Sequence, residues 1–156
     1  MRLRRIARIA GIVSLCLLSA CGSAGGGGTA EVPFETIASD VGAVETARTV
    51  VVTDASAWAD LWAELQRARV SPAPLPGIDF GRKMILGVFL GARSSGCYSV
   101  HIERVTLTGE KMIVEYRESI PPPLVGCATV ITFPSHLVAV DRSAFPVEFA
   151  KLADAF

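Results

Sequence analysis

Few residues of this 156-residue chain are equipped for covalent chemistry: four cysteines, two histidines and a handful of serines in turns. Cys97 is the most conspicuous. It lies in GARSSGCYSV, residues 91–100, where a glycine-bounded turn opens onto an apparent strand. A thiol nucleophile needs a base within hydrogen-bond reach to hold it as thiolate. His101 stands on the same strand face, but four residues of extended chain put it about 13 Å away. His136 is under no such constraint, so a hydrolase using Cys97 or a loop serine with His136 stays open as an alternative. Ser94, Ser95 and Ser135 lack the Gly-x-Ser-x-Gly elbow that exposes a serine nucleophile. Asp79 has no second carboxylate close by and suits a turn or a cap. No phosphate-binding glycine loop and no His/Cys cluster of metal-ligand spacing is found, so neither cofactor nor metal is expected.

The alternative to a nucleophile is a staple, and the compartment decides between them. The chain begins MRLRRIARIAGIVSLCLLSACGSAGGGG. Arg2, Arg4, Arg5 and Arg8 form a basic head before an apolar run from Ile9 to Leu18. That run falls short of the roughly 20 residues that span a bilayer. With small residues behind it, it has the pattern of a secretory signal peptide. Leu18-Ser19-Ala20-Cys21 resembles the lipobox of bacterial lipoproteins. The resemblance implies cleavage between Ala20 and Cys21, a diacylglycerol on the Cys21 thiol, and acylation of the new amino terminus, palmitate being such an acyl group. Each buried methylene contributes about 0.8 kcal/mol, and several acyl chains hold a protein where one does not. Residues 1–20 are thus expected to be removed, and 21–32 to form a lipidated, Gly-rich tether reaching about 15–20 Å. Gly22 is not the aspartate of the inner-membrane retention rule. The expected location is the cell envelope, outside the cytoplasm, on the outer membrane where there are two.

In that oxidising compartment a residual even pair of cysteines reads as a disulfide. Cys16 leaves with the signal and Cys21 is lipidated, which leaves Cys97 and Cys127, each preceded by glycine. In the chain-entropy model, closing a loop of about 30 residues stabilises by roughly 3–4 kcal/mol.

Composition sets further bounds. The chain carries 15 basic and 15 acidic side chains, and four of the basic ones lie in residues 1–20 (15 − 4 = 11), so the mature protein is net acidic. No basic patch stands out and nucleic acid is not an expected partner. Residues 33–156 suffice for one domain with a core.

The elements around the turn follow from periodicity. Pro33–Ser39 and Arg48–Thr53 read as strands, the second rich in β-branched residues. Asp54 or Ser56 can cap a helix in which Trp58, Leu61, Trp62 and Leu65 fall on one stripe. Pro72, Pro74 and Pro76 end it. Met84–Leu90 is continuously apolar, as for a strand covered on both faces. Residues 98–103 alternate, Thr108-Gly109-Glu110 turns, and Met112, Val114 and Tyr116 return. Pro121, Pro122 and Pro123 form a stiff extended loop. Ala128–Phe133, His136–Val140 and Pro146–Phe149 read as three further strands. The expected fold is α+β: a mostly antiparallel domain of six to eight short strands with one amphipathic helix packed on it.

In this order the motifs resemble those of the PrcB family of protease-complex subunits, over roughly residues 33–150. They are the Trp58-Ala59-Asp60-Leu61-Trp62 helix, Ile78-Asp79-Phe80, the MILGVFLG strand, the turn, and Thr132-Phe133-Pro134. The family turn reads Gly-x-Arg/Lys-Pro-Ser/Thr-Gly-Gly-Tyr. Gly91, Arg93, Ser95, Gly96 and Tyr98 match it, whereas Ser94 replaces the proline and Cys97 the second glycine. The resemblance implies a non-catalytic envelope lipoprotein that binds another protein, a protease above all. Exposed turns on a rigid scaffold are where binding concentrates. Arg93, Ser94, Ser95, Gly96 and Tyr98, with Pro121, Pro122 and Pro123, are the expected partner-binding loop. A structural envelope lipoprotein with no dedicated site is the other alternative.

Overall fold

The structure is a computed structural model that describes residues 28–67, 69–121 and 126–155. The signal segment 1–20, the lipidation site Cys21, most of the tether, Pro122 and Pro123 lie outside the described residues. No helix among the described residues is long and apolar enough to cross a membrane.

Eight strands and one helix follow each other as β1 (Ala30–Glu31), β2 (Phe34–Ser39), β3 (Arg48–Val52), α1 (Ala55–Gln66), β4 (Lys83–Phe89), β5 (Ser99–Leu107), β6 (Met112–Ser119), β7 (Ser135–Asp141) and β8 (Val147–Lys151). They form two four-stranded sheets, ordered β1-β5-β6-β8 and β2-β7-β4-β3. All pairings are antiparallel except β6 with β8. The α+β expectation is met.

The apolar run of β4 has its explanation in the layering. Met84, Leu86, Val88 and Leu90 enter a core shared with Val100, Ile102 and Val105 of β5, Met112 and Val114 of β6, and Val138 and Val140 of β7. Ile85 and Phe89 point the other way, into a second core with Trp58, Leu61, Trp62 and Leu65 of α1. Strand side chains alternate between faces, so a strand covered on one side by a sheet and on the other by a helix is apolar throughout. Asp54 caps α1, its Oδ1 accepting from Ala57 N–H at 2.9 Å. Asp79 builds a turn, its Oδ1 accepting from Gly81 N–H at 3.0 Å.

Two expectations change. Ala128–Phe133 is not a strand: within it only Thr132 makes a β-bridge, to Arg93. Its β-branched residues favour extension, but Val130 N–H folds back onto Ala128 C=O and Gly96 N–H takes the same carbonyl. Cross-ties to the 91–98 loop thereby fix its path. Ordered strand structure also starts at Ala30, where β1 pairs with Leu107 and Thr106 of β5, inside the stretch expected to be tether.

Candidate functional site

Among the described residues, those expected to do chemistry or binding meet at one end of the two sheets, where the 91–98 loop meets segment 126–134. Cys97 and Cys127 form a disulfide, with Cα atoms 5.8 Å apart and 30 residues between them in sequence. Around it, Arg93 and Thr132 exchange both backbone hydrogen bonds, at 2.8 and 2.9 Å. Thr132 Oγ1 donates to Ser95 C=O at 2.8 Å. Two irregular segments, neither a strand, are thus held as one unit by covalent and main-chain ties. Gly91 lets the loop leave β4. Its φ is +76°, and a Cβ there would come within 2.7 Å of Glu45 C=O. Ala92 N–H donates to that carbonyl. Gly96 is under no such pressure, since a Cβ would meet only Val130, at 3.7 Å.

Arg93 faces inward rather than toward a partner. Its Nε donates to Glu118 Oε1 at 2.7 Å and its Nη1 to Leu90 C=O at 2.7 Å. The guanidinium carbon lies 5.9 Å from the Tyr98 ring centroid. Lys151 Nζ takes the other oxygen of Glu118 at 2.9 Å. Burial pushes the Glu118 carboxyl up, but the Arg93 and Lys151 hydrogen bonds outweigh it and hold the group below the usual carboxylate range. This buried carboxylate with two cationic partners was not visible in the sequence, because Glu118 sits 25 residues from Arg93 in an otherwise ordinary strand.

The hydrolytic constellation does not assemble. Cys97 is oxidised in the disulfide. Ser135 is fully buried, and its hydroxyl accepts from Val41 N–H at 3.0 Å and donates to Val41 C=O at 3.3 Å. His136 has both ring nitrogens engaged: Nδ1 accepts from Ile102 N–H at 2.8 Å and Nε2 lies 3.0 Å from Thr36 Oγ1. Ser94 is exposed, and Ser95 Oγ accepts from Cys97 N–H at 3.4 Å. Pro121 is half-buried.

What the loop end does present is a mixed polar and apolar cleft with exposed apolar side chains beside it. A cleft of about 310 Å³ is lined by Tyr98, Phe133, Pro134, Thr132, Gly42, Gly96 and Asp40. Val130 and Ile131 stand beside it with 50% and 67% of their surfaces in solvent. An exposed apolar patch on an otherwise buried fold marks an interaction surface more often than a stray side chain does. Val130 and Ile131 were not singled out from sequence, because they read as the interior of a strand.

Residues 84–141 match the family model described as PrcB C-terminal. Over that segment the chain is similar to the PrcB C-terminal family. That match runs from the start of β4 to the end of β7, so the PrcB segment contains the loop, the disulfide, the cleft wall from Tyr98 to Pro134, and Glu118. The helix α1 and strands β1–β3 and β8 lie outside it. No curated protein and no solved structure matches the chain. Among the described residues no three His, Cys, Asp or Glu side chains gather as a metal site would require.

Proposed function

We propose that this chain is a non-catalytic, lipid-anchored subunit of the bacterial envelope that binds a protease or another envelope protein through the disulfide-bearing end of its PrcB domain. One observation carries the reading. The PrcB match coincides with the segment that builds the loop end, and that end offers a rigid apolar surface, with Tyr98, Phe133, Val130 and Ile131, in place of a catalytic group. A surface held before contact loses little conformational freedom on binding. The lipobox at Cys21 supports tethering to a membrane, the outer one where there are two. The tether would join at β1, beside Leu107 at the far end of β5 from Ser99 and the loop. The binding end would then face away from the anchor.

The rival reading, a structural lipoprotein with no dedicated site, draws on the inward placement of Arg93. Affinity purification of the full-length chain from native membranes, after crosslinking, separates the two. A recurrent protease, kept by Leu75→Asp on a distant exposed residue and lost with Ile131→Asp in a folded protein, supports the subunit. Equal recovery of background proteins by all forms supports the structural role.

A further inference from the structure

His136 joins the two sheets. It is the second residue of β7 in one sheet, and its Nδ1 accepts the Ile102 N–H of β5 in the other, at 2.8 Å. Its Nε2 reaches Thr36 of the edge strand β2 at 3.0 Å. Ile102 sits where the β5–β6 register shifts, between Ile102 and Arg104. A bulge of this kind leaves main-chain groups without ladder partners, and here a side chain supplies one. The bond fixes the tautomer: Nδ1 must be bare, so the neutral ring carries its proton on Nε2 and donates it to Thr36. A second proton could enter only at Nδ1, where it would confront the Ile102 N–H. His136 is 5% exposed, whereas Thr36, against its outer edge, is exposed, so protons from solvent can reach the ring.

We infer that His136 is an acid-released latch between the two sheets, closed when its imidazole is neutral and opened by protonation at Nδ1. The groups around it favour the closed, neutral form. Burial lowers the His136 pKa from its ordinary value of 6.5, the neighbouring His101 lowers it further, and Asp40 acts weakly in the opposite sense. His101 lies edge-on on β5, with ring centroids 5.6 Å apart. On β6, Arg117 is paired opposite His101 and forms an ion pair with Glu103. From β4 the residue opposite is Val88, which carries no charge. Because the folded pKa is depressed, the latch stabilises fully above about pH 6.5 and loses that contribution as pH falls toward the lowered value. Pro134, two residues before His136, is buried and lines the cleft, so opening loosens that wall first. The consequence for a partner rests on the proposed function; the latch itself does not.

Hydrogen exchange of the full-length chain in detergent tests it, with rates corrected for intrinsic pH dependence. Protection of residues 100–106 should fall with acid below pH 6.5, by up to about tenfold per pH unit, the linkage slope of one proton. In His136→Asn, Oδ1 replaces Nδ1 as an acceptor that does not titrate, so protection should persist without that slope. Equal slopes in wild type and His136→Asn, or no slope in wild type, would overturn the latch. If His136→Asn does not fold, ¹⁵N resonances of wild-type His136 decide. A bare Nδ1 at pH 7.5 that gains its proton as protection falls supports the latch; a protonated Nδ1 at pH 7.5, or a ring that titrates with no change in protection, overturns it.

Discussion

Two irregular segments of this molecule are held in opposite ways. The proline loop 70–77 lies on α1 and is fastened by side chains of one helical stripe. Trp58 Nε1 donates to Pro76 C=O at 3.0 Å, Trp62 Nε1 to Ala73 C=O at 3.1 Å, and Gln66 Oε1 accepts from Ala73 N–H at 2.9 Å. Spaced four apart, the three residues stack along one face. Segment 126–134 is instead fastened to the 91–98 loop by a disulfide and by main-chain hydrogen bonds. In the first case two of the side chains that fasten, Trp58 and Trp62, are also core, with ring centroids 5.3 Å apart. In the second the fastening comes from the segment itself, through the disulfide, main-chain bonds and Thr132 Oγ1, while Val130 and Ile131 remain in solvent, as Val70 and Leu75 do on the proline loop. Main-chain and covalent ties hold segment 126–134 while leaving Val130 and Ile131 free for contact.

Trp58→Ala should be the most damaging single change. It removes a residue 1% exposed together with its hydrogen bond to Pro76, at a cost of about 3–5 kcal/mol. Denaturant unfolding reads it, and a cost below 1 kcal/mol would mean the loop and helix are not coupled. Removing the disulfide by a Cys97→Ser, Cys127→Ser double change should cost about 3 kcal/mol in the chain-entropy account. The Arg93–Thr132 bridge should survive that change, visible as continued amide protection of both residues. Glu118→Gln should cost about 2 kcal/mol, because it leaves Arg93 and Lys151 facing a neutral group. Since the Glu118 pKa is lowered, its stabilisation is present above the ordinary carboxylate range and lost as pH falls through the lowered value. The glutamine variant should be less acid-sensitive than wild type below pH 4.5. Ile131→Asp, at an exposed position, should change stability by less than about 0.5 kcal/mol.

The helix side of this contrast was legible in the sequence and the loop side was only half so. Trp58, Leu61, Trp62 and Leu65 announce their stripe because helical contacts are local. The disulfide was legible because only two cysteines were left after the signal and lipobox were set aside. Arg93 was expected to face a partner, since a motif in a turn says nothing about a glutamate 25 residues on. Ala128–Phe133 was expected to be a strand because Ala-Thr-Val-Ile-Thr-Phe has β propensity, and long-range ties to Gly96 and Cys97 override propensity. His136 reads from sequence as a candidate catalytic base. Its partners, Thr36 and Ile102, lie 100 and 34 residues away, and no periodicity connects them.

Photocrosslinking in living cells tests whether the loop end is the proposed binding surface. A photoreactive amino acid would replace Ile131 in one strain and Val51 or Leu75, exposed apolar residues elsewhere on the domain, in two others. The account predicts one discrete adduct from position 131, identified by mass spectrometry as an envelope protein such as a protease, and none from positions 51 and 75. Adducts of equal yield from all three positions, or an adduct from 51 or 75 with none from 131, would contradict it.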